Sequence, residues 1–251
     1  TAAPRQAGES AYRELLAGRT LVVFGGSYGI GGDIARLAGS YGARVYALGR
    51  STTGTHVENP EHVGEALSRA YAETGRIDYV INTAGVLRVG KLAETDNSTI
   101  QEALNVNYLA PVQIARASYK YLAESRGQLL LYTSSSYTRG RAEYSLYSST
   151  KAAMVNLTQA LADEWAAEGI RVNCVNPERT ATPMRTRAFG TEPAGSLLSS
   201  EAVARTSLDV LLSELTGHVI DVRQQDPTRG AGEASGFEQA LAAVLDREGD
   251  V

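Results

Sequence analysis

Short apolar runs rich in β-branched residues alternate with longer amphipathic stretches along residues 19–226, and few folds tolerate that alternation. The runs read RTLVVFGG, ARVYALGRS, IDYVINTAG, QLLLYTSSS, IRVNCVNP and GHVIDVR. Between them, IGGDIARLAGSYG, EHVGEALSRAYAETG, NSTIQEALNVNYLAPVQIARASYKYLAES and YSLYSSTKAAMVNLTQALADEWAAEG carry helical periodicity. Strands apolar on both faces that alternate with helices belong to βαβ units and a parallel sheet. Right-handed crossovers then predict a doubly wound α/β sheet that takes ligands at the carboxyl ends of its strands. No repeat or composition break interrupts residues 19–226, which read as one domain. Residues 1–18 read as a linker or N-terminal extension, and 227–251 as a flexible tail rich in Gly, Ala and Glu. One connection is short. Arg50 and Val57 are seven positions apart, too few for a crossover helix of about ten residues. Either GTHVEN is a strand reached by a bare loop, or the sheet is smaller by one strand.

Composition narrows the function. The 251 residues suffice for a large buried core. A net charge of −4 without a block of like charge excludes an electrostatic nucleic-acid binder. No apolar run approaches the roughly 18 residues of a membrane span. Cys174 is the single cysteine, which precludes an internal disulfide and points to a reducing compartment. With no secretory start, a cytoplasmic protein is expected. His56, His62 and His218 are too scattered for a metal site, so none is expected.

Gly25-Gly26-Ser27-Tyr28-Gly29-Ile30-Gly31 follows the first strand and opens a helix. Glycines there permit a tight turn and let a pyrophosphate approach backbone N–H groups at the helix N-terminus. The spacing is G-x-x-x-G-x-G, and a plain packing turn is the bland alternative. The same letters satisfy G-x-S-x-G, a hydrolase nucleophile elbow with Ser27 as nucleophile and His218 as base. That rival leaves few earlier strands for an oxyanion loop and explains nothing downstream.

Tyr147 and Lys151 lie four apart at the start of a helix and share a face. A phenol can protonate a carbonyl oxygen if its pKa falls from about 10, and a neighbouring cation lowers it. Only three of the 24 basic residues are Lys, which makes Lys151 notable. Alone, such a pair is worth a few tenths of a kcal/mol on a surface helix. It gains weight in company. A strand ending Thr133-Ser134-Ser135-Ser136 brings hydroxyls to the same sheet edge, and Asn82-Thr83-Ala84-Gly85 ends another strand there. Asn107 sits in an apolar helical stretch, and Asn176-Pro177-Glu178-Arg179-Thr180-Ala181-Thr182-Pro183-Met184 follows a later strand.

In that order of motifs the chain resembles the short-chain dehydrogenase/reductase family over nearly all of residues 19–226. The resemblance implies a Rossmann-type sheet, an NADP(H) or NAD(H) cofactor and a homodimer or homotetramer. It implies that Gly25, Ser27, Tyr28, Gly29, Ile30 and Gly31 line the pyrophosphate, and that Asn82, Ala84 and Gly85 form a cofactor-side wall. Asn107 would help hold the lysine and a water in a proton relay. Ser134, or Ser135 beside it, would bind the reacting oxygen, and Tyr147 would protonate it. Lys151 would tune Tyr147 and bind the nicotinamide ribose, while Pro177, Thr180 and Thr182 would hold the nicotinamide end. Glu178 departs from the family's usual Gly, and the last strand ends Asp221-Val222-Arg223 instead of in a double glycine. The segments TSSSYTRGRAEYSLYSSTKAA and NPERTATPMRTRAFG resemble the reductase module of bifunctional ribitol-5-phosphate cytidylyltransferase/ribulose-5-phosphate reductases. A cytidylyltransferase domain would precede that module.

Arg50 stands where a carboxylate would accept ribose hydroxyls, which predicts preference for NADP over NAD. Arg139, Arg141, Arg179 and Arg185 flank the Ser–Tyr–Lys motifs and are candidates to grip a sugar phosphate; the bland alternative pairs them with Glu143, Glu178 or Glu192. Three functions are consistent with these residues: an NADPH-dependent reductase of ribulose 5-phosphate, a carbonyl reductase or polyol dehydrogenase of unphosphorylated substrates, and a cofactor-binding scaffold without turnover.

Overall fold

The computed structural model describes residues 3–193 and 195–224. The 227–251 segment expected to be a tail lies outside them. Within them, TLVVF forms β1 (Thr20–Phe24), buried along its whole length. Its side chains alternate between two apolar layers, Leu21 and Val23 on one face and Val22 and Phe24 on the other. The same alternation fixes β2 (Arg44–Leu48), β3 (Tyr79–Asn82), β4 (Gln128–Tyr132) and β5 (Arg171–Pro177) beside it. A two-stranded piece, β6 (Thr180–Ala181) and β7 (Leu198–Ser199), precedes the last strand, β8 (Val219–Val222). The main sheet is parallel and six-stranded, in the order β2-β1-β3-β4-β5-β8.

Helices cover both faces. One face holds α2 (Gly29–Ser40) and α9 (Ser200–Leu212), with α1 (Ala3–Leu16) against them through Leu16. The other holds α4 (Pro60–Thr74), α6 (Ala110–Ser125) and α7 (Ser145–Glu164). Two short helices, α3 (Arg50–Thr53) and α8 (Pro183–Phe189), flank the strand ends, and α5 (Asn97–Leu104) runs through a π turn, Asn105–Leu109, into α6. Local signals set the helix ends. Asn59 accepts from the Glu61 N–H with Pro60 in the first turn, and Gly75 closes α4 at φ +73°. Among the described residues no helix is long and apolar enough to cross a membrane.

Two expectations are refined. GTHVEN forms no strand: α3 and a turn lead from β2 straight to α4, so the second alternative holds and the sheet is smaller by one strand. Of the segment read as a linker or N-terminal extension, Ala3–Leu16 is helical, with Leu16 fully buried and the Tyr12 hydroxyl donating to the Asp209 carboxylate on α9.

Candidate active site

The carboxyl ends of β1, β3, β4 and β5 open into a cleft of about 740 Å³. At its floor the β1–α2 turn approaches its neighbours so closely that Gly25, Gly26 and Gly31 leave no room for a Cβ. Gly25 has φ +81°, and a Cβ there would meet Ala84 N at 2.5 Å and Thr83 Oγ1 at 2.6 Å. Thr83 pins the two strand ends together by donating to the carbonyls of Phe24 and Gly25, each at 3.1 Å. Tyr28 starts α2 without a side-chain cap, which leaves first-turn N–H groups for an anion in the cleft. A dinucleotide pyrophosphate fits that donor set. Gly25, Ser27, Tyr28, Gly29, Ile30, Gly31, Ala84 and Gly85 all line this region, as does Arg50 on the far side of the turn.

Tyr147 enters the cleft from the first turns of α7 and Ser134 from the end of β4. Burial pushes the Tyr147 phenol up, and hydrogen bonding with Ser134 opposes that rise. Ser135, the neighbouring alternative, is exposed on the cleft wall. Lys151 is buried one turn along α7; its Nζ donates to the Tyr132 carbonyl at 3.0 Å and lies 5.6 Å from the centre of the Tyr147 ring. Desolvation brings the Lys151 ammonium down to about 8. Thr133 anchors the same helix by donating to the Lys151 carbonyl at 2.7 Å. A phenol, a hydroxyl and a buried ammonium thus converge where an oxygen of a ligand could be held and protonated.

Three of the residues singled out in the sequence lie off the cleft wall. Asn82 is buried and accepts from the Ala84 N–H, shaping the strand end from behind. Asn107 sits in the π turn and grips the backbone of Val86 in both directions, each bond at 2.8 Å. In this arrangement it holds the loop after β3, with no hydrogen bond to Lys151. Arg139, expected at the mouth, is exposed and does not line the cleft, whereas Arg141, two residues on, does. Arg141, Arg179, Arg185, Pro177, Thr180 and Thr182 do line it.

The site also includes residues that sequence reasoning did not single out. Tyr144 stacks on Phe189 at 6.5 Å and 10° between ring planes, forming an aromatic wall. Arg187, which the sequence did mark among the arginines around Thr182, lies over Tyr28, 5.8 Å from the ring centre, and lines the cleft. Glu58 faces the Arg50 side. Tyr144 was visible three residues before Tyr147, on the same helical side; Glu58 and Phe189 carried no local signal.

A doubly wound sheet whose cleft joins a bare glycine turn to a Ser–Tyr–Lys cluster defines an NAD(P)-dependent oxidoreductase. The chain belongs to the short chain dehydrogenase family, whose family model it matches over residues 51–193. It is 48% identical over 208 residues to the bifunctional ribulose 5-phosphate reductase/CDP-ribitol pyrophosphorylase Bcs1 of Haemophilus influenzae. That match covers 83% of this chain and 44% of the relative, so the chain spans less than half of that protein's length. It is 32% identical over 204 residues to the uncharacterized oxidoreductase YciK of Escherichia coli (strain K12), covering 72% of this chain and 81% of that one. The crystal structure of a short chain dehydrogenase from Shigella flexneri complexed with NADP superposes with a TM-score of 0.75 at 29% identity, over 83% of this chain and 98% of that chain.

Proposed function

We propose that this chain is an NADPH-dependent reductase of a small phosphorylated ketose, converting ribulose 5-phosphate to ribitol 5-phosphate. The observation that carries the reading is the pairing of Ser134, Tyr147 and Lys151 with a cationic wall of Arg141, Arg179 and Arg185 in one cleft. The kinship with a named ribulose 5-phosphate reductase supports it. In this reading Ser134 holds the ketone oxygen and Tyr147 gives it a proton. Burial raises the phenol where the role calls for a lower pKa, contrary to the expectation from sequence, and the Ser134 hydrogen bond and the Arg185 charge act against that rise. Lys151 supplies positive charge behind the phenol and would bind the nicotinamide ribose. The cofactor, when bound, supplies the hydride. Asn107 keeps the loop after β3 against the cleft, and Thr182, whose hydroxyl accepts from the Arg185 N–H at 3.3 Å, retains its own hydrogen for a carboxamide.

Arg50 favours NADP: a guanidinium attracts a 2′-phosphate that a carboxylate would repel. A carbonyl reductase of unphosphorylated substrates is the second reading, because Arg185 already has a carboxylate partner in Glu192. A scaffold without turnover has no use for the Ser–Tyr–Lys cluster. The proposal extends to assembly: a second copy would pack on α6 and α7, and a cytidylyltransferase domain would accompany the reductase, as the name of the bifunctional relative implies.

The test is oxidation of NADPH, and separately NADH, followed at 340 nm (roughly the absorbance maximum of the reduced nicotinamide) with ribulose 5-phosphate and then with ribulose. Specificity constants should favour the phosphate ester and NADPH by at least about tenfold each, or about 1.4 kcal/mol. Equal use of ribulose would replace the phospho-sugar assignment with the general reductase.

A further inference from the structure

Arg185 is held by another residue of its own segment. Its Nε and Nη2 donate to the Glu192 carboxylate at 2.5 and 2.8 Å, a bidentate pair whose side chains keep only 20% and 17% exposure. The guanidinium also lies 4.7 Å from the centre of the Phe189 ring, which in turn stacks on Tyr144. The pair is therefore framed on the aromatic wall of the cleft. Arg185 and Arg179 line that cleft, whereas Glu192 does not.

Two guanidinium groups act on this one carboxylate. Hydrogen bonding from Arg185, and then the charges of Arg185 and Arg179, hold Glu192 below the ordinary range. Arg185 and Tyr147 line the same cleft, and the Arg185 charge opposes the rise of the phenol. A carboxylate of the chain thus occupies a guanidinium of the cleft that Tyr147 enters.

We propose that Glu192 determines specificity as an internal competitor for the substrate's phosphate, exchanging off Arg185 when the ester binds; this rests on the phosphate-ester reading above. A phosphate dianion brings about two charges and three strong acceptor oxygens, against one charge and two oxygens for the carboxylate. It can take over two guanidinium groups. The neutral hydroxymethyl end of an unphosphorylated ketose offers nothing comparable for breaking a bidentate pair. The exchange weakens absolute affinity for the ester and widens the gap to neutral sugars, a difference of affinities built from an opposing element.

Glu192→Gln keeps the shape and removes the charge. Inorganic phosphate, titrated at constant ionic strength and read by the thermal unfolding midpoint of the full chain, should bind Glu192→Gln at least fivefold more tightly than the natural sequence. Adding Arg185→Met should abolish that gain. The KM for ribulose 5-phosphate should fall at least fivefold in Glu192→Gln. If Glu192→Gln does not fold, Glu192→Ala is read in the same way. Unchanged or weaker phosphate binding overturns the proposal, since Glu192 would then be a bystander or a support for Arg185. Tighter phosphate binding in a chain that does not reduce ribulose 5-phosphate leaves the competitor standing and removes the substrate reading. Reduction of the ester with phosphate binding unaltered does the reverse.

Discussion

Burial drives the Tyr147 phenol up and the Lys151 ammonium down, so both are pushed toward their neutral forms. The consequences for pH are unequal. With Lys151 at about 8, its charge is lost as pH rises through that value, while Tyr147 keeps its proton. Carbonyl reduction should therefore lose kcat/KM above about pH 8 through loss of the cation behind the phenol. A pH–rate profile that stays flat to about pH 10 would contradict this. Tyr147→Phe should cut kcat by at least about 100-fold while the dissociation constant for NADPH, read by fluorescence titration, changes by less than about threefold. Retained turnover in that variant would remove Tyr147 from the chemistry.

At the scale of elements, α1 docks on α9 through a partly buried carboxyl. Burial first of all raises Asp209 to about 6, although the Tyr12 hydroxyl donates to it. An unfolded Asp titrates near 3.9, so the folded chain binds the extra proton between about pH 4 and 6. Its contribution to stability is complete below about pH 4 and is lost as pH rises through 6. Asp209→Asn carries no such dependence. The stability of Asp209→Asn relative to the natural sequence, from urea unfolding, should climb by about 1–3 kcal/mol between pH 4 and pH 7 and then level off. A constant difference across that range would place the charge elsewhere. The strands, the glycine turn and the Tyr147–Lys151 spacing were legible in the sequence because each depends on local periodicity or on residues one helical turn apart. Residues 50–57 declared a short connection, yet whether they paired as a strand depended on a neighbour far along the chain. The docking of Tyr12 on Asp209, the grip of Asn107 on Val86 and the bidentate Arg185–Glu192 pair are products of tertiary folding. Arg139 and Arg141 look alike in sequence, yet only Arg141 lines the cleft.

The whole molecule leaves a groove on the outer face of α6 and α7, where Tyr119 and Trp165 sit 5.4 Å apart beside Val112, Ala115, Leu157 and Leu161. An apolar groove of about 390 Å³ rimmed by Arg116 and Glu164 suits the self-complementary contact of a second copy. Sedimentation velocity at micromolar concentration should give a multiple of the 26.7 kDa chain mass. Leu157→Arg should lower it to the single-chain value. A natural chain that sediments as a monomer would assign the groove to something other than self-association.

The position of β8 has a further consequence. β5 lies between β4 and β8, and β8 begins some 40 residues after β5 ends. A ribosome adding about 5–20 residues per second leaves the outer edge of β5 without its partner for several seconds. During that interval the nascent chain presents a row of backbone donors and acceptors along an apolar strand, a template on which a second unfinished chain can add. A holdase, or slower growth at low temperature, should therefore raise the yield of folded protein, and an unchanged yield would show that this edge does not template aggregation.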